Sequence, residues 1–166
     1  MSIGVCGLIY FKEYDLKKII SLSYDLTRIS ADVGIGLKMG GNISEDVWSF
    51  YSSQRINNNT ISFELMDSPL DNFAENLFQP TIMCAEENFE NAFEFQLKTT
   101  FVKVLSILQT IQSNSLVASI DFCINYLFVE DEKPVGIALD EIFSYVLNSY
   151  KKRDYAAPIL QFKIEG

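Results

Sequence analysis

One row of apolar side chains constrains this chain more than any other feature. Phe89, Phe93, Leu97, Phe101 and Leu105 recur at every fourth residue, and Val104, Leu108 and Ile111 fill the adjacent row. This rhythm predicts an amphipathic helix over 86–112, far longer than an average helix. Phe95 and Val102 fall off the stripe, so a second flank is expected to be buried too. A helix apolar on more than one side belongs in the middle of a small domain, under a sheet or other helices. Its first turns carry Glu86, Glu87, Glu90 and Glu94, with no base before Lys98.

The rest of the chain supplies what such a helix packs against. Ile3 to Phe11 is rich in β-branched and aromatic residues and reads as a buried strand. Asp15 to Ala31 is an amphipathic helix with Leu16, Ile19, Ile20, Leu22, Leu26 and Ile29 on one broad face. Val33 to Met39 reads as a short strand closed by the turn Gly40-Gly41-Asn42. Residues 43–53 fit either a strand around Trp48 or a helix capped by Asn42 and Glu45. We prefer the strand, in a hairpin with Thr60–Met66. Ser68-Pro69 then starts a short helix running to about Phe78. After the long helix the period changes. Ala118, Ile120, Phe122, Ile124, Tyr126 and Phe128 alternate with polar residues and Cys123, which predicts a half-buried strand. Ile137 to Lys152 is a further helix, with acids at its start and Lys151-Lys152-Arg153 at its end. Pro158 to Ile164 closes the chain as a strand.

Helices and strands interspersed around a hairpin predict a single α+β domain over residues 1–166. Its sheet is mixed or mainly antiparallel and packs on the long central helix. A doubly wound α/β sheet is the alternative. At 166 residues, 48% of them apolar, the chain can bury a real core without metals or disulfides.

Chemistry-bearing motifs are scarce. Histidine is absent, so neither a Ser-His-Asp nor a Cys-His constellation can be built. Cys6, Cys84 and Cys123 are far apart and form no CxxC, which predicts free thiols in a reducing compartment and no zinc site. The run Gly34-Ile35-Gly36 to Gly41 follows a helix rather than opening one and matches no phosphate loop. Carboxylates four apart, such as Glu86/Glu90 and Asp71/Glu75, lack the histidines of a di-metal bundle. Glu130-Asp131-Glu132 lacks the glycine and alternating ligands of a calcium loop. No catalytic residue, cofactor or metal is expected. A carboxylate or Ser–Lys enzyme and a self-assembling structural subunit remain as alternatives. No stretch reaches the ~20 apolar residues of a membrane span, and a net charge of −9 disfavours nucleic acid and anionic membranes. The expected location is the cytoplasm.

The distribution of charge is the one unusual feature. Between Arg55 and Lys98 there is no base, while Glu64, Asp67, Asp71, Glu75, Glu86, Glu87, Glu90 and Glu94 all fall there. Glu130, Asp131 and Glu132 add a second acidic loop. Such a band is either a solvated flank or a negative surface offered to a basic partner. Phe73, Phe78 and Phe89 lie among the acids and could anchor such a contact. With these acids, the small acidic α+β chain resembles bacterial immunity proteins, the inhibitors that protect a cell from a toxin of its own kind, contact-dependent growth inhibition included. The resemblance implies tight binding to a cognate toxin, often a basic nuclease. The candidate contact residues are Asp67, Asp71, Glu75, Glu86, Glu87, Glu90, Glu94, Glu130, Asp131 and Glu132.

Overall fold

A computed structural model describes residues 5–39, 59–66, 86–124, 134–155 and 158–166. The elements run β1 (Val5–Phe11), α1 (Leu16–Val33), β2 (Gly36–Met39), β3 (Thr60–Met66), α2 (Glu86–Gln112), β4 (Val117–Ile124), β5 (Val135–Gly136), α3 (Leu139–Lys152) and β6 (Leu160–Glu165). The strands form one sheet in the order β2-β3-β1-β4-β6-β5. Every neighbouring pair is antiparallel except β5 with β6. The fold is therefore α+β with a mixed, mainly antiparallel sheet, as the sequence predicts. Residues 43–53, the short helix after Ser68 and the acidic loop at Glu130 lie outside the described residues, but Thr60–Met66 is flanked by β1 and β2, so the neighbour on the edge expected for the hairpin is Gly36–Met39.

Register sorts the sheet into two faces. Val5, Ile9 and Phe11 of β1 share a face with Phe63 and Leu65 of β3, Ile120, Phe122 and Ile124 of β4, and Phe162 and Ile164 of β6. These residues form the main core with the inward side chains of the three helices. Gly7 sits between Phe63 and Phe122 in the same layer. A methyl group there would meet the Asp121 carbonyl oxygen and the Phe63 ring, with Cζ at 2.6 Å, so the ring lies directly over a residue that must lack a side chain.

The helix α2 has the predicted bounds and contacts both α1 and α3. Phe93, Leu97, Phe101, Val104, Ile107, Leu108 and Ile111 are buried, with Phe89 and Leu105 partly so. The expected second buried flank does not exist: Phe95 is 72% and Val102 59% exposed. At about 100° per residue both lie opposite the buried row, so they face away from sheet and core. On α1 the broad apolar face is likewise narrower than expected. Leu22 and Leu26 are buried, Ile19 and Ile29 partly so, but Leu16 and Ile20 are exposed. Asp15 caps this helix by accepting from the Lys18 N–H at 3.2 Å. Gly34 ends it in the left-handed conformation, with the Ile35 N–H returning to the Ser30 carbonyl.

The strand β4 is not half-buried but buried on both faces along most of its length. Its second face carries Ser119, Asp121 and Cys123, which lie beside Tyr10, Leu8 and Cys6 of β1. Ser62 and Glu64 of β3 continue this seam and are also buried. The Tyr10 hydroxyl donates to Asp121 Oδ2 at 2.9 Å, as buried polar groups require. Cys6 and Cys123 are buried and form no disulfide, while Cys84 lies outside the described residues. The two thiols stand directly opposite each other. The Phe11 N–H points to Asn59 beside β3, so even-numbered residues of β1 point to β4. Cys6 and Cys123 are thus a hydrogen-bonded pair, whose Cβ atoms stand ~4.5–5.5 Å apart, wider than the ~3.8 Å mean of a disulfide.

Candidate functional site

Of the acids proposed as contacts, Glu90 and Glu94 have described side chains. Glu86 and Glu87 lie in the first turn of α2, where only the backbone is described. Asp67, Asp71, Glu75, Glu130, Asp131 and Glu132 lie outside the described residues. Glu64, from the same base-free stretch, is buried on the second face of the sheet and is withdrawn from any outer surface.

Glu90 and Glu94 stand one turn apart, the first exposed and the second half-buried. The chain leaving α3 comes to meet them. Lys151 and Lys152 fill the last turn, and then Asp154 and Tyr155 adopt φ of 52° and 64°. Two successive non-glycine residues in this region cost about 1–2 kcal/mol each. The turn is held by the Tyr155 N–H donating to the Tyr150 carbonyl at 2.7 Å. Ring packing holds it as well. Tyr155 meets Phe89 edge-on with centroids 5.0 Å apart, and Phe93 at 4.9 Å. Phe93 in turn contacts Tyr150 at 5.0 Å. Pairs of this kind contribute about 0.5–1.5 kcal/mol each beyond their buried area, which offsets part of the backbone strain.

The Tyr155 phenol is held above its ordinary range, first by burial, then by its hydrogen bond to Glu90 and by the charges of Glu90, Asp154 and Glu94. The charges of three carboxylates, Glu90 and Glu94 on α2 and Asp154 after α3, therefore bear on one half-buried tyrosine. Among the described residues, the ion pairs are Lys18–Asp15 at 3.9 Å and Arg28–Asp25 at 3.1 Å, both on α1 or its cap. Glu90, Glu94 and Asp154 take part in neither, although Lys151, Lys152 and Arg153 form a basic margin nearby.

Sequence reasoning placed Phe89 among the acids but missed Tyr155 and Asp154. They lie about sixty residues further on, after a basic tripeptide, and no local pattern links them to α2. Among the described residues, no group of three or more Cys, Asp or Glu could hold a metal ion. No described helix is long and apolar enough to cross a membrane. Comparison with protein-family models, curated proteins and solved structures finds no match.

Proposed function

We propose that this chain is a cytoplasmic binding protein that neutralises a basic protein toxin by direct contact. The observation that supports it best is the gathering of Glu90, Glu94 and Asp154 around Tyr155, on a corner braced by Phe89 and Phe93. Gathered carboxylates repel one another, and a basic partner would relieve that repulsion. A tyrosine with an apolar body and a polar tip is a frequent anchor of protein interfaces, and here it is already fixed in place by its ring contacts. The base-free stretch 56–97 extends the same negative charge along the sequence. Binding would need no catalytic group, consistent with a chain that has no histidine.

The test uses the purified product of the gene adjacent to the one encoding this chain. Association and dissociation are measured across a salt series for the wild type, Glu90→Lys/Glu94→Lys and Tyr155→Ala. The charge reversal should slow association by ~10-fold or more at low salt and flatten the salt dependence. Tyr155→Ala should mainly speed dissociation. Equal association rates at low salt would remove these acids from the mechanism. Failure of the folded protein to bind that product would count against the toxin reading itself.

A further inference from the structure

The two central strands set two thiols face to face on the second face of the sheet. Cys6 of β1 and Cys123 of β4 are register partners, both fully buried, and the proposed toxin contact uses neither. Strand geometry fixes where their side chains start. Both Cβ atoms leave the same face of neighbouring strands, side by side and near parallel, ~4.5–5.5 Å apart. A disulfide needs these atoms at ~3.8 Å and its sulfurs in direct bond contact. Closing one here would draw together two strands that β3 and β6 hold from the outside.

A two-coordinate metal bridge asks for a different geometry. In a linear thiolate–metal–thiolate unit the sulfurs stand apart by two metal–sulfur bonds, ~4.6 Å if each matches the ~2.3 Å of zinc–thiolate. The bonds at each sulfur meet near a right angle, so the two Cβ–Sγ bonds run parallel, as the pleat presents them. The spacing of this pair suits a metal bridge better than a disulfide.

The surroundings select the ion. Among the described residues, no group of three or more Cys, Asp or Glu could hold a metal ion, so the tetrahedral set that zinc requires is not offered there. Two thiolates alone suit soft, closed-shell cations. Charge narrows the choice further. Glu64 is the register partner of Cys6 on β3, and Asp121 lies two residues from Cys123 on the same face, both buried. A singly charged cation on two thiolates would add a negative charge to this seam, whereas a dication gives a neutral unit. We infer that Cys6 and Cys123 form a buried two-coordinate site for a soft dication of the mercury(II) class. Binding exchanges two S–H bonds for two metal–sulfur bonds and releases two protons to water, with no change of oxidation state. The bridge ties β1 to β4 and is independent of any toxin.

The test uses the full chain with Cys84→Ser, which leaves this pair as its only thiols, and mercuric ion as the probe. One ion should bind per chain, with two protons released and a thiolate-to-mercury absorption band in the ultraviolet. Uptake should be slow, because both sulfurs are covered until the sheet opens. Since the folded sheet already holds the spacing, one equivalent of ion should raise the urea midpoint. An ion that gathers the two thiols only in the unfolded chain would lower it. Cys6→Ser or Cys123→Ser in the same chain should weaken binding by ~100-fold or more and abolish the rise. Zinc, short of two ligands, should leave the midpoint where it is. A midpoint lowered or unmoved by mercuric ion would overturn the inference, and this readout needs only the parent chain, whether or not a serine variant folds. So would one ion shared between two chains, or a serine variant stabilised as much as its parent.

Discussion

Replacing Phe101 with alanine tests whether α2 organises the core. The ring is 1% exposed and meets Phe143 of α3 at 5.7 Å in an edge-to-face arrangement. A phenylalanine of this kind buries ~150–250 Å², which at ~25 cal/mol/Å² gives an upper bound of ~4–6 kcal/mol. Alanine retains part of that area, and the cavity left behind collapses only partly, so a loss of ~3–5 kcal/mol is expected. That is a large share of the ~5–15 kcal/mol that holds a typical domain together. Urea unfolding followed by circular dichroism should show a lower midpoint with an unchanged slope, and thermal unfolding should shift downward by ~6–20 °C. Phe95→Ala is the internal control, on the same helix but 72% exposed, and should change stability by no more than ~0.5 kcal/mol. Equal effects of the two substitutions, or an unchanged midpoint for Phe101→Ala, would refute the assignment of the buried row.

Three further outcomes follow from the core. Gly7→Ala should destabilise the sheet by ~1–3 kcal/mol, because the new methyl overlaps the Phe63 ring and the Asp121 carbonyl; Phe63→Leu in the same chain should recover part of the loss, by urea midpoint. Burial raises the Tyr150 phenol well above its ordinary 10.0, and Tyr155 is raised too. The folded state therefore holds these protons more tightly than the unfolded chain, so their contribution is complete below about pH 10 and is lost as pH rises through the raised values. Stability against pH should fall above about 10, less steeply in Tyr150→Phe, and an identical slope in that variant would contradict the assignment. Cys6 and Cys123, fully buried in the two central strands, should react with a thiol reagent only as fast as the sheet opens, and prompt labelling of either in the native protein would be incompatible with this register.

What could be read in advance depended on how far apart the determining residues lie. The long helix α2 was legible to its ends because its period is local and repeated over seven turns. The helix α3 was legible for the same reason, its apolar row being continuous from Leu139 to Tyr150. Period could not tell how many sides of a strand are covered. Ser119, Asp121 and Cys123 look like a solvent face in the alternation of β4, yet they are buried opposite Tyr10, Leu8 and Cys6. Nor could it separate an apolar residue facing the core from one facing outward, which is why Phe95, Val102, Leu16 and Ile20 were misplaced. The two-residue strand β5 is too short to carry a period at all. Half of the candidate site was visible as acids on α2. The other half depends on the left-handed turn at Asp154 and Tyr155, two residues whose types give little hint of that conformation.

The position of β1 also has a consequence for synthesis. This strand precedes every strand it pairs with, yet it ends in the interior of the sheet between β3 and β4. Val5 waits for Leu65 on one side and for Ile124 on the other, partners 60 and 119 residues further along (65 − 5 and 124 − 5). At ~5–20 residues per second, the ribosome delivers the second partner ~6–24 s after the first strand has been made. Throughout that interval Leu8, Ile9 and Phe11 lack the β4 neighbours that complete their cover, on a strand with an open hydrogen-bonding edge. A nascent chain halted before Val117 therefore keeps one edge of β1 open and exposes the apolar side chains that β4 covers.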